Sequence, residues 1–246
     1  MSDKRCRFEN FLVYEGNKLA HAAMYEVSAH PDQPLSPMYL YSGTGLGKTH
    51  LVNAAATQLD ENGSAANITI TNVERFKTES IYALRMKSLE EFYQKYECAD
   101  VLIMENFRQL SGYGELQILF QEIFDVLQEK DKQIILTSDV PPDYLMGFDR
   151  GLLSKVKSGY TIEIEAPGFD ERVLILEAEL EAVLREQELK VEKDDLGEIF
   201  YYIADAEAND IRKLKGMLKR VAAFAKLLNE ELDFAFTQKI LRMQSR

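Results

Sequence analysis

Residues 42–49 read Ser42-Gly43-Thr44-Gly45-Leu46-Gly47-Lys48-Thr49, directly after the apolar segment Pro37-Met38-Tyr39-Leu40-Tyr41 and directly before a helical stretch opening His50-Leu51. Glycine at positions 43, 45 and 47 lets the backbone curl so that its N–H groups point inward at an anion. A helix starting where the loop ends adds unpaired N–H donors and the positive end of its dipole. Lys48 is then placed to reach the outer phosphates of a nucleotide, and the Thr49 hydroxyl to hold Mg²⁺. The stretch therefore predicts a phosphate loop, with Gly43, Thr44, Gly45, Leu46, Gly47, Lys48, Thr49 and His50 as contacts for ATP or ADP. Ser42 stands where such loops usually begin with glycine. The bland alternative is a glycine-rich turn that binds nothing. The preceding strand and the full Gly-Lys-Thr ending weigh against it.

The rest of the first two-thirds alternates strand and helix. Segments 37–42, 67–72, 100–105, 133–138 and 160–165 are rich in Ile, Val, Leu, Thr and Tyr and read as strands. Three are nearly continuous apolar runs, the pattern of strands covered on both faces. Between them, Leu116, Leu119, Phe120, Ile123, Phe124 and Leu127 recur at intervals of three and four, which marks a helix. This alternation predicts a five-stranded parallel sheet between helices. After Ala166-Pro167-Gly168 only helical patterns remain. Leu176, Leu180 and Leu184 mark one helix. Ile211, Leu214, Leu218, Val221, Ala225 and Leu228 mark another, with Asn209 or Asp210 as its cap. The expected division is an α/β base over 1–166 and a small all-α lid over 167–246.

A phosphate-loop protein also needs acid groups at the end of a neighbouring strand. Asp100-Val101-Leu102-Ile103-Met104-Glu105-Asn106 fits: an apolar strand that ends in polar residues. Glu105 is expected to join Thr49 at the metal. Asn106 occupies the place of the carboxylate that prepares water; an amide can hydrogen-bond a water but cannot take its proton. The pair predicts slow hydrolysis.

With these features set out, the chain resembles the AAA+ module of bacterial replication initiators, the DnaA family, from about residue 7 to 243. Phe8-Glu9-Asn10-Phe11-Leu12-Val13 and Asn17-Lys18-Leu19-Ala20-His21-Ala22-Ala23 look like the family's entry segment, which frames the adenine; Val13 and Asn17 are the expected contacts. The Gly-Leu-Gly-Lys-Thr-His-Leu form of the loop, Thr137-Ser138-Asp139 before Pro141-Pro142, and Asp210-Ile211-Arg212-Lys213-Leu214-Lys215-Gly216 continue the match. The stretch from Glu74 to Tyr96 resembles the extra helical pair of initiators. The resemblance implies Asp139 as a first sensor and Arg212 as a second, reporting the γ-phosphate from the lid. Arg212 read blandly is one of several solvated charges beside Lys213, Lys215, Lys219 and Arg220.

Departures from the family bear on mechanism. In Asp149-Arg150-Gly151-Leu152-Leu153-Ser154-Lys155-Val156 the arginine-finger position is Lys155, which keeps the charge but loses the planar fork. In the loop after Asn106, the positions that offer basic residues to single-stranded DNA match Tyr113 and Glu115. Tyr113 can stack on a base, whereas Glu115 repels phosphate, so single-strand binding is expected to be weak at most. The closing residues from Lys239 to Arg246 are too few for the family's helix-turn-helix domain, so sequence-specific double-strand binding has no visible carrier.

Composition agrees with a folded, acidic protein. The 246 residues are 46% hydrophobic and carry a formal charge of −12, a global field that opposes nucleic acid unless a local basic groove exists. Cys6 and Cys98 form no disulfide or metal pattern, and His21, His30 and His50 lack zinc spacing. No apolar run approaches membrane-spanning length, and a reducing cytoplasm is the expected compartment. Gln117-Ile118-Leu119-Phe120 faintly resembles a sliding-clamp peptide, but core packing is the better reading. The function expected is a nucleotide-gated regulator of replication initiation, holding ATP or ADP with Mg²⁺, hydrolysing slowly, and engaging the full-length initiator or itself. The alternative is an active ATPase that remodels single-stranded DNA or a replisome component. A scaffold without nucleotide is the weakest reading.

Overall fold

The computed structural model describes residues 6–61, 67–187 and 196–243. Of the expected tail from Lys239 to Arg246, Gln244, Ser245 and Arg246 lie outside the described residues. The chain forms two compact units, Met1–Gly43 with Gly47–Glu165, and Ala166–Arg246 with Thr44–Leu46.

The first unit is built on strands β1 (Met38–Tyr41), β2 (Ile68–Asn72), β3 (Val101–Glu105), β4 (Gln133–Ser138) and β5 (Tyr160–Glu163). They form one parallel sheet in the order β2-β3-β4-β1-β5. Composition tracks position in the sheet. The interior strand β4 is buried at every residue, while the edge strand β5 buries only Ile162. Successive side chains of a strand point to opposite faces. Leu102, Met104, Ile134 and Leu136 join one core cluster; Val101, Ile103 and Ile135, pointing the other way, are equally buried. Both faces are therefore covered by helices, as an all-parallel sheet requires.

The covering helices are α1 (Glu15–Ala29), α2 (Lys48–Glu61), α3 (Val73–Met86), α4 (Leu89–Glu97), α5 (Gly114–Glu129) and α6 (Arg150–Lys157). In α5 the apolar stripe goes inward as its spacing predicts, although Ile118 faces solvent. Gln117 is buried as well: its amide donates to the carbonyls of Leu110 and Gly147, each at 2.9 Å, and accepts from the Asp149 N–H at 2.7 Å. That role is internal bracing. The α3–α4 pair is tied down by rings. Phe76 lies 5.2 Å from Phe92, 5.2 Å from Tyr96 and 5.9 Å from Phe120, and Phe120 continues to Phe107 at 5.5 Å. Each such pair adds ~0.5–1.5 kcal/mol beyond burial. Glu79 of α3 accepts from Lys95 at 2.5 Å and from the Tyr96 hydroxyl at 2.6 Å. Packing thus links the helical pair to the turn that follows β3.

The second unit holds α7 (Phe169–Gln187), α8 (Leu196–Ala206), α9 (Ile211–Leu228) and α10 (Phe234–Arg242). Asp210 is the cap of α9 and accepts from the Lys213 N–H at 3.1 Å. Leu214, Leu218, Val221 and Ala225 are buried, but Leu228, expected in the same stripe, is 54% exposed because the helix ends there at left-handed Asn229. The carboxylate of Glu179 on α7 is nearly buried between Lys219 at 2.7 Å and Lys215 at 2.9 Å. Burial alone would raise its pKa; the hydrogen bonds from the two lysines outweigh that and hold it below the usual glutamate range. No described helix is long and apolar enough to cross a membrane.

Candidate nucleotide-binding site

The phosphate loop leaves β1 at Ser42, whose N–H donates to the Ser138 carbonyl at 3.2 Å. Gly45 at φ +81° and Gly47 at φ +104° take the left-handed conformations that the sequence pattern anticipates. Position 47 has a second reason to be glycine: a Cβ there would come within 2.8 Å of the Phe11 ring. Ser42 folds its hydroxyl back onto the Gly43 carbonyl at 2.8 Å. The Lys48 ammonium lies over the loop, donating to the Ser42 carbonyl and hydroxyl at 2.8 Å each and to the Gly43 carbonyl at 3.0 Å. It is a preorganised cation at the head of α2.

In the first turn of α2, the Thr49 hydroxyl donates to the Glu105 carboxylate at 2.8 Å. The two residues expected at a metal are thus brought together by the sheet. Hydroxyl and carboxylate are oxygen donors of the hard kind that suit Mg²⁺, which takes few protein ligands and relies on phosphates and water for the rest. Among the described residues no group of three or more His, Cys, Asp or Glu could hold a metal without such help.

Asn106 follows at φ 58°, ψ 40°, a left-handed conformation that Asn and Asp tolerate better than other side chains. Its N–H donates to the Thr137 hydroxyl at 3.3 Å, and its side chain is exposed. Buried Phe107 and Leu110 pin the next turn. Between them Arg108 points outward and pairs with Asp139 at 2.8 Å. Sequence reading singled out Asp139 and gave Arg108 no role, because nothing in the spacing joins the two. Tyr39 underlies this corner. Burial pushes its hydroxyl up to about 12, so it remains a donor to the Val140 carbonyl at 2.9 Å.

The entry segment reaches the loop through rings. Phe11 stacks on His21 with centroids 5.9 Å apart and lies 5.2 Å from His50. His50 also bonds the Arg7 carbonyl at 2.9 Å. Asn17 is buried: its side chain accepts from the Tyr14 N–H at 2.9 Å and donates to the Leu12 carbonyl at 3.0 Å. Asn17 therefore shapes the segment that presents Val13, which is 44% exposed.

Two further expected residues are carried by later helices. Lys155 on α6 is ion-paired with Asp125 of α5 in the same chain. Arg212 sits exposed on the first turn of α9 in the second unit. Lys215 and Lys219 of that helix serve the Glu179 clamp, whereas Arg212 has no carboxylate partner among the described residues. On the loop after β3, Tyr113 is covered by the Lys77 ammonium 4.2 Å from its ring centroid, and Glu115 is exposed.

The family model of the bacterial DnaA ATPase domain matches residues 2–163, well over half of the chain. The chain belongs to the DnaA family. It is 32% identical to the chromosomal replication initiator protein DnaA of Sulfurimonas denitrificans, over 96% of this chain and 52% of that protein. The chain thus spans about half the length of the curated DnaA relatives it matches. Among solved structures, domain III of Thermotoga maritima DnaA superposes with a TM-score of 0.87 at 26% identity, covering 98% of each chain. A DnaA bound to AMPPCP and single-stranded DNA matches with a TM-score of 0.82 at 28% identity, over 99% of this chain and 70% of the other. These matches agree with the AAA+ architecture and the DnaA resemblance read from the phosphate loop and its neighbours.

Proposed function

We propose that this DnaA-family chain binds ATP or ADP with Mg²⁺ and works as a nucleotide-gated regulator of replication initiation that hydrolyses slowly. The observation that carries the reading is the preorganised phosphate loop, with Lys48 folded over it and Thr49 already joined to Glu105. AMPPCP, an ATP analogue, is bound by a structurally similar DnaA, which supports ATP as the ligand. When bound, Mg²⁺ neutralises phosphate charge, and Thr49 and Glu105 are the residues that would hold it. Val13, presented by Asn17, is assigned to the base. Arg212 enters on its place in the family motif.

Slow turnover follows from two features. Asn106 hydrogen-bonds water without accepting its proton. Lys155, at the finger position, is engaged by Asp125 of its own chain. A protein whose nucleotide persists is suited to signalling by its bound state, and its natural partner is the full-length initiator or a second copy. The test is equilibrium binding of ATP and ADP to the wild type and to Lys48→Ala. Tight binding that the substitution abolishes supports the reading; no nucleotide binding by the wild type ends it.

The second reading is an ATPase acting on single-stranded DNA. Lys77 over Tyr113 favours it, because a cation beside an aromatic face suits a stacked nucleotide. Glu115 on the same loop opposes it, so weak binding at most is proposed. Stimulation of hydrolysis by single-stranded DNA would promote this reading over the first.

A further inference from the structure

Arg108 lies in the turn that follows β3 and pairs with Asp139, the residue after β4. It is the second residue of the short helical turn Phe107–Leu110, and buried Phe107 and Leu110 on either side fix its direction. Its guanidinium meets the Asp139 carboxylate at 2.8 Å, with both side chains about half exposed. Asp139 directly follows Ser138, whose carbonyl receives the N–H of Ser42, the first residue of the phosphate loop. Asn106, two residues before Arg108, is tied to β4 through the Thr137 hydroxyl. The Arg108–Asp139 pair therefore stands at the carboxyl ends of β3 and β4, beside the strand that feeds the loop. Ligands of open parallel sheets bind at that end.

The local charges make this position consequential. Glu105 and Asp139 are two carboxylates, against which Lys48 is one cation. A triphosphate brings more negative charge than a diphosphate, so an uncompensated Asp139 would oppose ATP more than ADP. Arg108 removes that penalty. A guanidinium also has five N–H donors, and the single bond to Asp139 leaves most of them for an oxygen ligand. Its planar fork matches phosphate geometry.

We propose that Arg108 is an in-chain discriminator of nucleotide state, which contacts the outermost phosphate of a nucleoside triphosphate while remaining anchored to Asp139. The inference rests on the nucleotide-binding reading and adds to it the residue that tells tri- from diphosphate. It also gives the chain a cation of its own, where Lys155 is held by Asp125. Asp139 is the anchor that aims Arg108.

The test is the affinity for Mg-ATP and Mg-ADP, measured by calorimetry on the wild type, Arg108→Ala, Arg108→Lys and the double variant Arg108→Ala/Asp139→Asn, with thermal unfolding confirming that each is folded. Arg108→Ala is expected to weaken ATP about tenfold or more and ADP by less than about twofold, losing one charge-assisted bond. Arg108→Lys should recover part of the ATP affinity. The double variant separates contact from mere neutralisation: direct contact requires that it stay weak for ATP. Recovery to wild-type ATP affinity in the double variant would overturn the proposal, as would equal losses for ATP and ADP in Arg108→Ala. A wild type that binds neither nucleotide would instead remove the nucleotide-binding reading, and the inference with it.

Discussion

The Thr49 hydroxyl donates to the Glu105 carboxylate across 2.8 Å, joining the first turn of α2 to the end of β3. The two strands that lead there, β1 and β3, are not neighbours; β4 lies between them. The contact exists because a parallel sheet brings all its carboxyl ends to one edge. A residue at the head of a helix and a residue at the end of a strand then share a single patch.

Thr49→Val keeps the side-chain volume and removes only the hydroxyl. Its expected effect is specific: nucleotide affinity should lose its dependence on magnesium, while affinity measured in chelator stays near that of the wild type. Titrations with and without Mg²⁺ decide it. An unchanged magnesium dependence would take Thr49 out of the metal site.

Asn106→Asp changes the chemistry while keeping the turn, since Asp, like Asn, tolerates the left-handed conformation at φ 58°. A general base typically contributes ~10²–10⁴-fold. Single-turnover hydrolysis should therefore rise at least about tenfold. An unchanged rate would mean that another group already prepares the water.

Phe76 is fully buried at the junction of α3, α4 and α5. Phe76→Ala should cost ~3–5 kcal/mol by leaving a cavity. Thermal unfolding followed by circular dichroism should show a drop on the order of 10 °C, at ~2–4 °C per kcal/mol for a unit of this size. A shift within a degree or two would mean that the aromatic seam is not what holds the helical pair.

Glu179 makes the second unit sensitive to acid. Its pKa in the folded chain lies below the unfolded value, so its clamp on Lys215 and Lys219 contributes fully above the ordinary glutamate value of about 4.3. The contribution is lost as pH falls through the depressed folded value. Thermal unfolding should therefore show the stability gap between the wild type and Glu179→Gln closing below about pH 4. A gap that stays constant with pH would contradict the clamp.

The sequence was legible where one local pattern dictates one local structure. Of the three glycines read as letting the loop curl, Gly45 and Gly47 stand at positive φ, whereas Gly43 does not. The nearly continuous apolar runs of β3 and β4 read as strands covered on both faces, and both lie inside the sheet. Relationships that cross the sheet were not legible. Arg108 and Asp139 meet because two strands end side by side, and Lys155 turns to Asp125 because α5 and α6 are neighbours. Asn17 adds a relationship that the motif does not display: its side chain bonds the Tyr14 N–H and the Leu12 carbonyl and so braces the segment that carries Val13. The periodicity of α9 runs to Leu228, where the helix stops, but it does not show that this last residue is exposed.

The most direct test of the regulator reading is single-turnover hydrolysis of prebound ATP, with and without full-length initiator. The chain alone is expected to retain ATP, with turnover far below the ~1–10³ s⁻¹ usual for enzymes. Brisk turnover by the chain alone, within that range, would contradict it and make the protein a working ATPase.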